Sequence, residues 1–211
     1  MNYTTLTALI YDTVEDESTE IVANIASIVK QAENRILYDL PRSAHQKSAT
    51  ASTTSSNRYL SLPSDCLAPL VVQIVSASSY DAIMPKDISF VREVYPLPST
   101  TGQPKFYALF DNNSLLLGPT PDAAYTVEMS YFYKPESIVT ASTTWVGDNA
   151  EALLFSACMV EANKFIKAAG APGVIGAATW EEQYQKELMA MLKYFNLTLS
   201  GDDFRNNESR A

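Results

Sequence analysis

Two periodicities divide the chain. Near both ends apolar residues return every three or four positions, and through the middle they return at every second one. At helical spacing, Thr5 to Tyr11 reads as a short helix capped at Thr4 or Thr5. The stretch "DTVEDESTE" breaks it and sets carboxylates at the start of the next helix, where they meet the positive end of its dipole. From Ser18 to Leu40, Ile21, Ile25, Ile28, Val29, Ala32 and Ile36 share one stripe, and Pro41 ends the helix. Toward the other end, Asp148 followed by Glu151 reads as a capping box that opens a helix from Asn149 to near Ala169. Leu154, Ala157, Val160, Glu161 and Phe165 run close to its stripe. "GAPGVIG" is a joint, Thr179 with Glu182 is a second capping box, and Tyr184, Leu188, Met191, Leu192 and Phe195 then line up. From Ser200 the pattern stops. "SGDDFRNNESRA" has one large apolar residue and no period.

The middle reads as strands. "SAHQKSATASTTSS" suits either a flexible linker or an exposed strand, and its threonines and the following "NRYLSL" favour the strand. "RYLSLP" alternates, "LVVQIVSAS" looks the most buried, and "SYDAIMP" is shorter. Asp87 can cap a brief helix that Pro96 stops. Lys105 to Pro135 reads as a three-strand meander turning at Asp111-Asn112-Asn113 and at Gly118 to Asp122. On its last strand Tyr125, Val127, Met129, Tyr131 and Tyr133 share one face. The expected class is therefore α+β: a helical bundle made by N- and C-terminal helices, an inserted antiparallel β-module and an extended C-terminal arm. The boundaries fall at 1–43, 44–143, 144–197 and 198–211.

Charge narrows the function. The 211 residues carry a net charge of −9, and nucleic-acid binders draw most of their affinity from Lys and Arg on phosphates. DNA near this chain should pass rather than be held. The start has no basic region before its short apolar run, so no signal peptide is expected. No stretch approaches the roughly 18 apolar residues of a membrane span. Cys66 and Cys158 are then expected as two reduced thiols. The sequons at Asn2, Asn112, Asn196 and Asn207 are chance matches in a chain rich in Asn, Ser and Thr.

Reactive motifs are scarce. The single histidine, His45, sits in the Ser/Thr-rich segment and reads as a surface strand residue rather than a base; any Cys-His pair would have to borrow it. Asp12, Glu15, Asp16, Glu17 and Glu20 crowd together without the ligand spacing or central glycine of a calcium loop, and Asp202-Asp203 beside Glu208 is no better. "GAPGVIG" lacks a lysine and follows a helix, unlike a phosphate loop. Neither a metal nor a cofactor is expected. Tyr125, Tyr131 and Tyr133 can stack on a partner or a sugar, but on an alternating strand they read first as a half-buried sheet face.

"AENRILYDLP", the Ser/Thr-rich strand, "NRYLSLPSDCLAPLVV", "KFYALFDNNSLLLGPTPDAAYTVEMSYFYKPESI" and "TTWVGDNAEALLFSACMVEANKFI" occur in an order that resembles the head-to-tail adaptor proteins of short-tailed bacteriophages. The likeness is to the tail tubular protein A, or podovirus adaptor, group and runs from about Thr5 to Phe195. It implies a structural protein, not an enzyme, that forms a dodecameric ring with neighbouring copies of itself. The ring would bind the portal protein and receive the tail nozzle or tail-tube protein. DNA would pass through without specific binding, no membrane would be involved, and the place of action would be the virion after synthesis in the host cytoplasm. A C-terminal arm reaching the portal or a neighbouring subunit would be Leu197 to Ala211, with Phe204 as apolar anchor and Arg205 and Arg210 as charged handles. These three rest on chemistry and position. The alternatives are a stopper, tail-tube or fibre-base component, or a small carbohydrate hydrolase.

Overall fold

The structure is a computed structural model that describes residues 1–15, 19–77, 79–168 and 177–208, with side chains described up to Phe195 except at 42, 43, 167, 168 and 177. In chain order the elements are α1 (Tyr3–Val14), α2 (Thr19–Asp39), a 3-10 turn (Arg42–His45), β1 (Gln46–Ser52), β2 (Tyr59–Ser61), β3 (Cys66–Val75), β4 (Tyr80–Ala82) and β5 (Met84–Pro85). They continue as α3 (Ile88–Val94), β6 (Phe106–Asp111), β7 (Ser114–Gly118), β8 (Thr126–Tyr133), α4 (Ile138–Ala141), α5 (Trp145–Asn149), α6 (Glu151–Ala168) and α7 (Ala177–Glu208). This is an α+β protein with helices toward both ends and a β-module between them. It divides into two compact units. One joins Met1–Ala44 to the chain from Pro135 onward, and the other is His45–Lys134.

In the helical unit the buried side chains of α2 are Ile21, Ile25, Ile28, Val29, Ala32 and Ile36, the stripe that its spacing predicts. They share a core with Leu6 and Ile10 of α1, Leu154, Ala157 and Val160 of α6, and Tyr184 and Leu188 of α7. α1 starts earlier than expected. Asn2 Oδ1 accepts from Thr5 N at 2.9 Å while Thr5 Oγ1 accepts from Asn2 N at 3.1 Å, so Thr5 is the reciprocal partner in a capping box rather than the cap. The Asp148–Glu151 box does not form. Thr144 caps α5, its Oγ1 accepting from Gly147 N at 3.2 Å. The carboxylates of Asp148 and Glu151 instead face the Met1 amino group. Thr179 lies inside α7, which begins at Ala177, so it is no cap.

α7 also continues through Glu208, so most of 198–211, expected as an extended arm, is helix. No proline interrupts it, and a lone Gly201 costs only about 1 kcal/mol relative to alanine.

The β unit has two four-stranded sheets, ordered β1-β8-β3-β4 and β2-β7-β6-β5. Leu60, Tyr107, Leu115 and Leu117 from one sheet meet Val72, Ile74, Val127, Met129 and Tyr131 from the other in a single core. The expected meander is therefore only a hairpin: β6 and β7 pair, but β8 joins the other sheet. Pro119 and Pro121 in the link have no N–H to extend the ladder. Leu115 and Leu117 also need an apolar layer facing them, which β8 supplies from the opposite sheet. β7 is buried on both faces, because Leu116 packs outward with Ala108 and with Val91 of α3. α3 is capped as expected, Asp87 Oδ1 accepting from Ser89 N at 2.8 Å.

β3 is less buried than its composition implies. Only Val72 and Ile74 are buried on it, Leu70 and Val71 are exposed, and its register slips between Pro69 and Val71. "SYDAIMP" splits between sheets: Ile83 N donates to Val72 O at 2.8 Å, and the next residue, Met84, donates from its N to Lys105 O at 2.9 Å.

Leu117 is completely buried in this core. Leu117→Ala is expected to lower unfolding stability by about 2–5 kcal/mol, read from urea denaturation, whereas Leu67→Ala, at a site 57% exposed, should change it little.

Candidate functional site

Reactive side chains gather at one end of the β unit, where β1 and β3 begin and β8 ends. Lys47 Nζ donates to Asp65 Oδ2 at 2.8 Å, and Tyr131 Oη donates to Asp65 Oδ1 at 3.0 Å. The Lys47 ammonium also lies 5.5 Å from the Tyr133 ring centroid. Asp65 is held below the ordinary carboxylate range, first by its bond from Lys47. Both of its oxygens are engaged, so it is a poor general base.

His45 stands beside this cluster, edge-on to Tyr133 at 6.3 Å. It is not the surface strand residue its setting implied: it ends the 3-10 turn before β1 and is 6% exposed. The polar sequence around it gives no hint, because burial comes from Tyr133 at the far end of the module. Its Nε2 is buried without a hydrogen-bond partner, and burial lowers its pKa. Cys66 is half-buried, and burial followed by the Asp65 charge raises its thiol. A nucleophilic cysteine needs the opposite shift. Cys158, in the helical unit, is fully buried and its thiol is pushed far up by burial. The cluster is a structural fastening.

The tyrosine face is largely core. Tyr131 is 1% exposed, and Tyr125 and Tyr133 are partly buried against the same cluster. Among the described residues no three His, Cys, Asp or Glu side chains gather as a metal-binding set.

What remains open is the edge of a sheet. All seven residues of β1 pair with β8 on one side, from Gln46 opposite Phe132 to Ser52 opposite Thr126. Thr53 N donates to Tyr125 O at 2.9 Å in the same register. Hydrogen-bonded and non-bonded pairs alternate along an antiparallel ladder. The backbone of Lys47, Ala49 and Ala51 therefore bonds β8, and that of Gln46, Ser48, Thr50 and Ser52 points outward. Six of the seven residues are exposed.

Natural edges are usually blunted by shortness, proline or an outward charge. The other sheet follows that rule, with three-residue β2 and two-residue β5, which contains Pro85. β1 is long, has no proline, and its one lysine is drawn to Asp65. This guard's absence is invisible in sequence, since Lys47 reads as an edge charge until Asp65 is placed beside it.

Of the arm residues, Phe204 and Arg205 fall on the backbone of α7 with side chains outside the described residues, and Arg210 lies outside the described residues altogether.

The sequence profile of a family described as SU10 adaptor protein matches residues 1–207. No curated protein matches the chain at a significant level.

His45 is the single histidine, which makes its protonation separable. Its folded pKa is depressed below the unfolded 6.5. Its contribution to stability is therefore complete above the unfolded value and is lost as pH falls through the folded one. Melting followed by circular dichroism should drop between about pH 7.5 and about pH 5.5, and His45→Phe should shrink that drop. Equal drops in both proteins would contradict this assignment.

Proposed function

Because the chain belongs to the SU10 adaptor protein family, we propose that it is the head-to-tail adaptor of a tailed phage, forming a dodecameric ring with neighbouring copies of itself. The ring binds the portal protein at the head-tail junction of the virion and presents a platform to the tail nozzle or tail-tube protein. The observation that carries this reading is the family match, which spans 1–207 and so takes in both units.

The physical features are compatible with it. A net charge of −9 keeps a DNA channel from gripping its cargo. Satisfied polar clusters and raised thiols suit a part that holds position and catalyses nothing. The open β1 edge offers backbone groups to another chain.

In this reading the end of α7 and the residues after it make the portal contact. Phe204 supplies apolar anchorage, and Arg205 and Arg210 supply the charged bonds to the portal or to a neighbouring subunit. Among the residues whose side chains are described, the core of the helical unit takes Trp180, Tyr184, Leu188, Met191, Leu192 and Phe195 from α7. If the portal contact is their whole role, deleting 201–211 should leave the melting temperature unchanged while abolishing attachment to portal rings in a pull-down. Normal loading of the shortened protein would refute the role of these residues.

The decisive test of the whole reading is native mass spectrometry of the full chain, alone and mixed with the portal ring of its own phage. The expected result is about twelve chains on the portal, the number implied by the likeness to podovirus adaptors. A portal that gains no mass would overturn it.

A further inference from the structure

We infer that copies of this chain join edge to edge through one continuous β-sheet, β1 of one copy pairing antiparallel with β4 of the next, with Lys47 opposite Asp81. The joint rests on the ring reading and supplies its subunit contact.

The sheet ordered β1-β8-β3-β4 has two edges, and they match in direction. β1 and β3 both run antiparallel to β8, and β4 runs antiparallel to β3. β4 is therefore antiparallel to β1, so placing β1 of a second copy beside β4 continues the alternation with both copies in one orientation. The contact is head-to-tail, the kind that closes into rings.

The backbone groups also match. On β4, Ser76 N donates to Ser79 O at 2.9 Å and Ile83 N to Val72 O at 2.8 Å. With Ile74 opposite Asp81 in between, alternation leaves the N–H and C=O of Tyr80 and Ala82 pointing outward. On β1 the outward groups include those of Gln46 and Ser48. Setting Gln46 against Ala82 and Ser48 against Tyr80 satisfies both sets.

Charge then selects the register. That alignment puts Lys47 and Asp81 in a non-hydrogen-bonded pair, where Cα atoms stand about 4.5 Å apart and side chains are closest. Both project to the same face of the sheet: Lys47 shares its face with Ala49, which packs on the sandwich core, and Asp81 lies opposite buried Ile74. The Lys47 side chain is 53% exposed despite its bond to Asp65, so its ammonium is open on another side. Asp81 is exposed and accepts from Gln103 Nε2 at 3.1 Å and from Ser79 Oγ at 3.3 Å. Opposite charges facing one another stabilise a strand pair and like charges destabilise it. β1 against β1 brings two lysines to one face and β4 against β4 two aspartates. The same two side chains therefore admit the head-to-tail pairing and disfavour both symmetric ones.

The test captures the joint covalently. Ser48→Cys and Tyr80→Cys together, in a Cys66→Ser background, set two thiols on outward-facing, exposed positions in a hydrogen-bonded pair. Their Cα separation of about 5.5 Å falls within disulfide range. Oxidation of this full-length variant on the portal ring of its phage should give a ladder of covalent multimers that a reductant collapses, while each single-cysteine variant stays monomeric. Portal-bound multimers that do not cross-link overturn the joint alone, as do dimers from Ser48→Cys by itself, which would mean β1–β1 pairing. No multimer on the portal even without cysteines overturns the ring reading and the joint with it. Asp81→Lys should weaken multimer formation at an unchanged melting temperature, and undiminished assembly would overturn the register.

Discussion

In the helical unit, the setting of α7 on α2 depends on a contact between parts of the chain 146 residues apart. Arg35 on α2 donates two hydrogen bonds to Glu181 on α7, at 2.8 and 2.5 Å, and its guanidinium lies 4.1 Å from the centroid of the Tyr184 ring. Tyr184 Oη in turn donates to Asp39 Oδ2 at 2.6 Å, so a buried ring with a polar tip is anchored on both sides. An ion pair of this exposure contributes modestly. What it adds is geometry, because a planar fork and a stacked ring admit one azimuth of α7 on α2. The apolar stripe beneath supplies the driving force. A second carboxylate plays a similar part: Glu33 accepts from Ser137 Oγ and Ile138 N, at 2.5 and 2.7 Å, and so caps α4 from across the unit. Polar side chains of α2 thus fix where the returning chain settles.

Periodicity disclosed the elements with dense, regular burial. The α2 stripe and the Tyr184 and Leu188 positions could be named in advance, because one face of a helix against a large core leaves few alternatives. Local signals failed where a distant residue competed. Thr4, Asp148 and Thr179 are each acceptable caps, and each lost to a neighbour or to a continuing helix. β8 joined the opposite sheet because its apolar face needed a layer in front of it, and alternation states that a face is buried without stating what buries it. β3 shows the converse, since a run of Leu and Val says nothing about its register slips.

Function was legible only by resemblance and by exclusion. Lys47 and Asp65 are 18 residues apart, and nothing at either position announces the other. His45 reads as exposed for the same reason, since Tyr133 reaches it from the module's last strand. What the sequence hides is which backbone edge stays exposed and which charges meet. Those properties belong to topology, so they emerge only once the strands are ordered.

The β-module begins and ends on adjacent strands. β1 and β8 pair along their whole shared length, and His45 touches Tyr133 across the opening. A segment whose two ends are already fastened side by side demands nothing of its host but a two-strand socket. During divergence, such a cassette can be lengthened, shortened or exchanged by recombination at the flanking turns. The helical core, whose described members all lie outside 45–134, is left as it was by such an exchange.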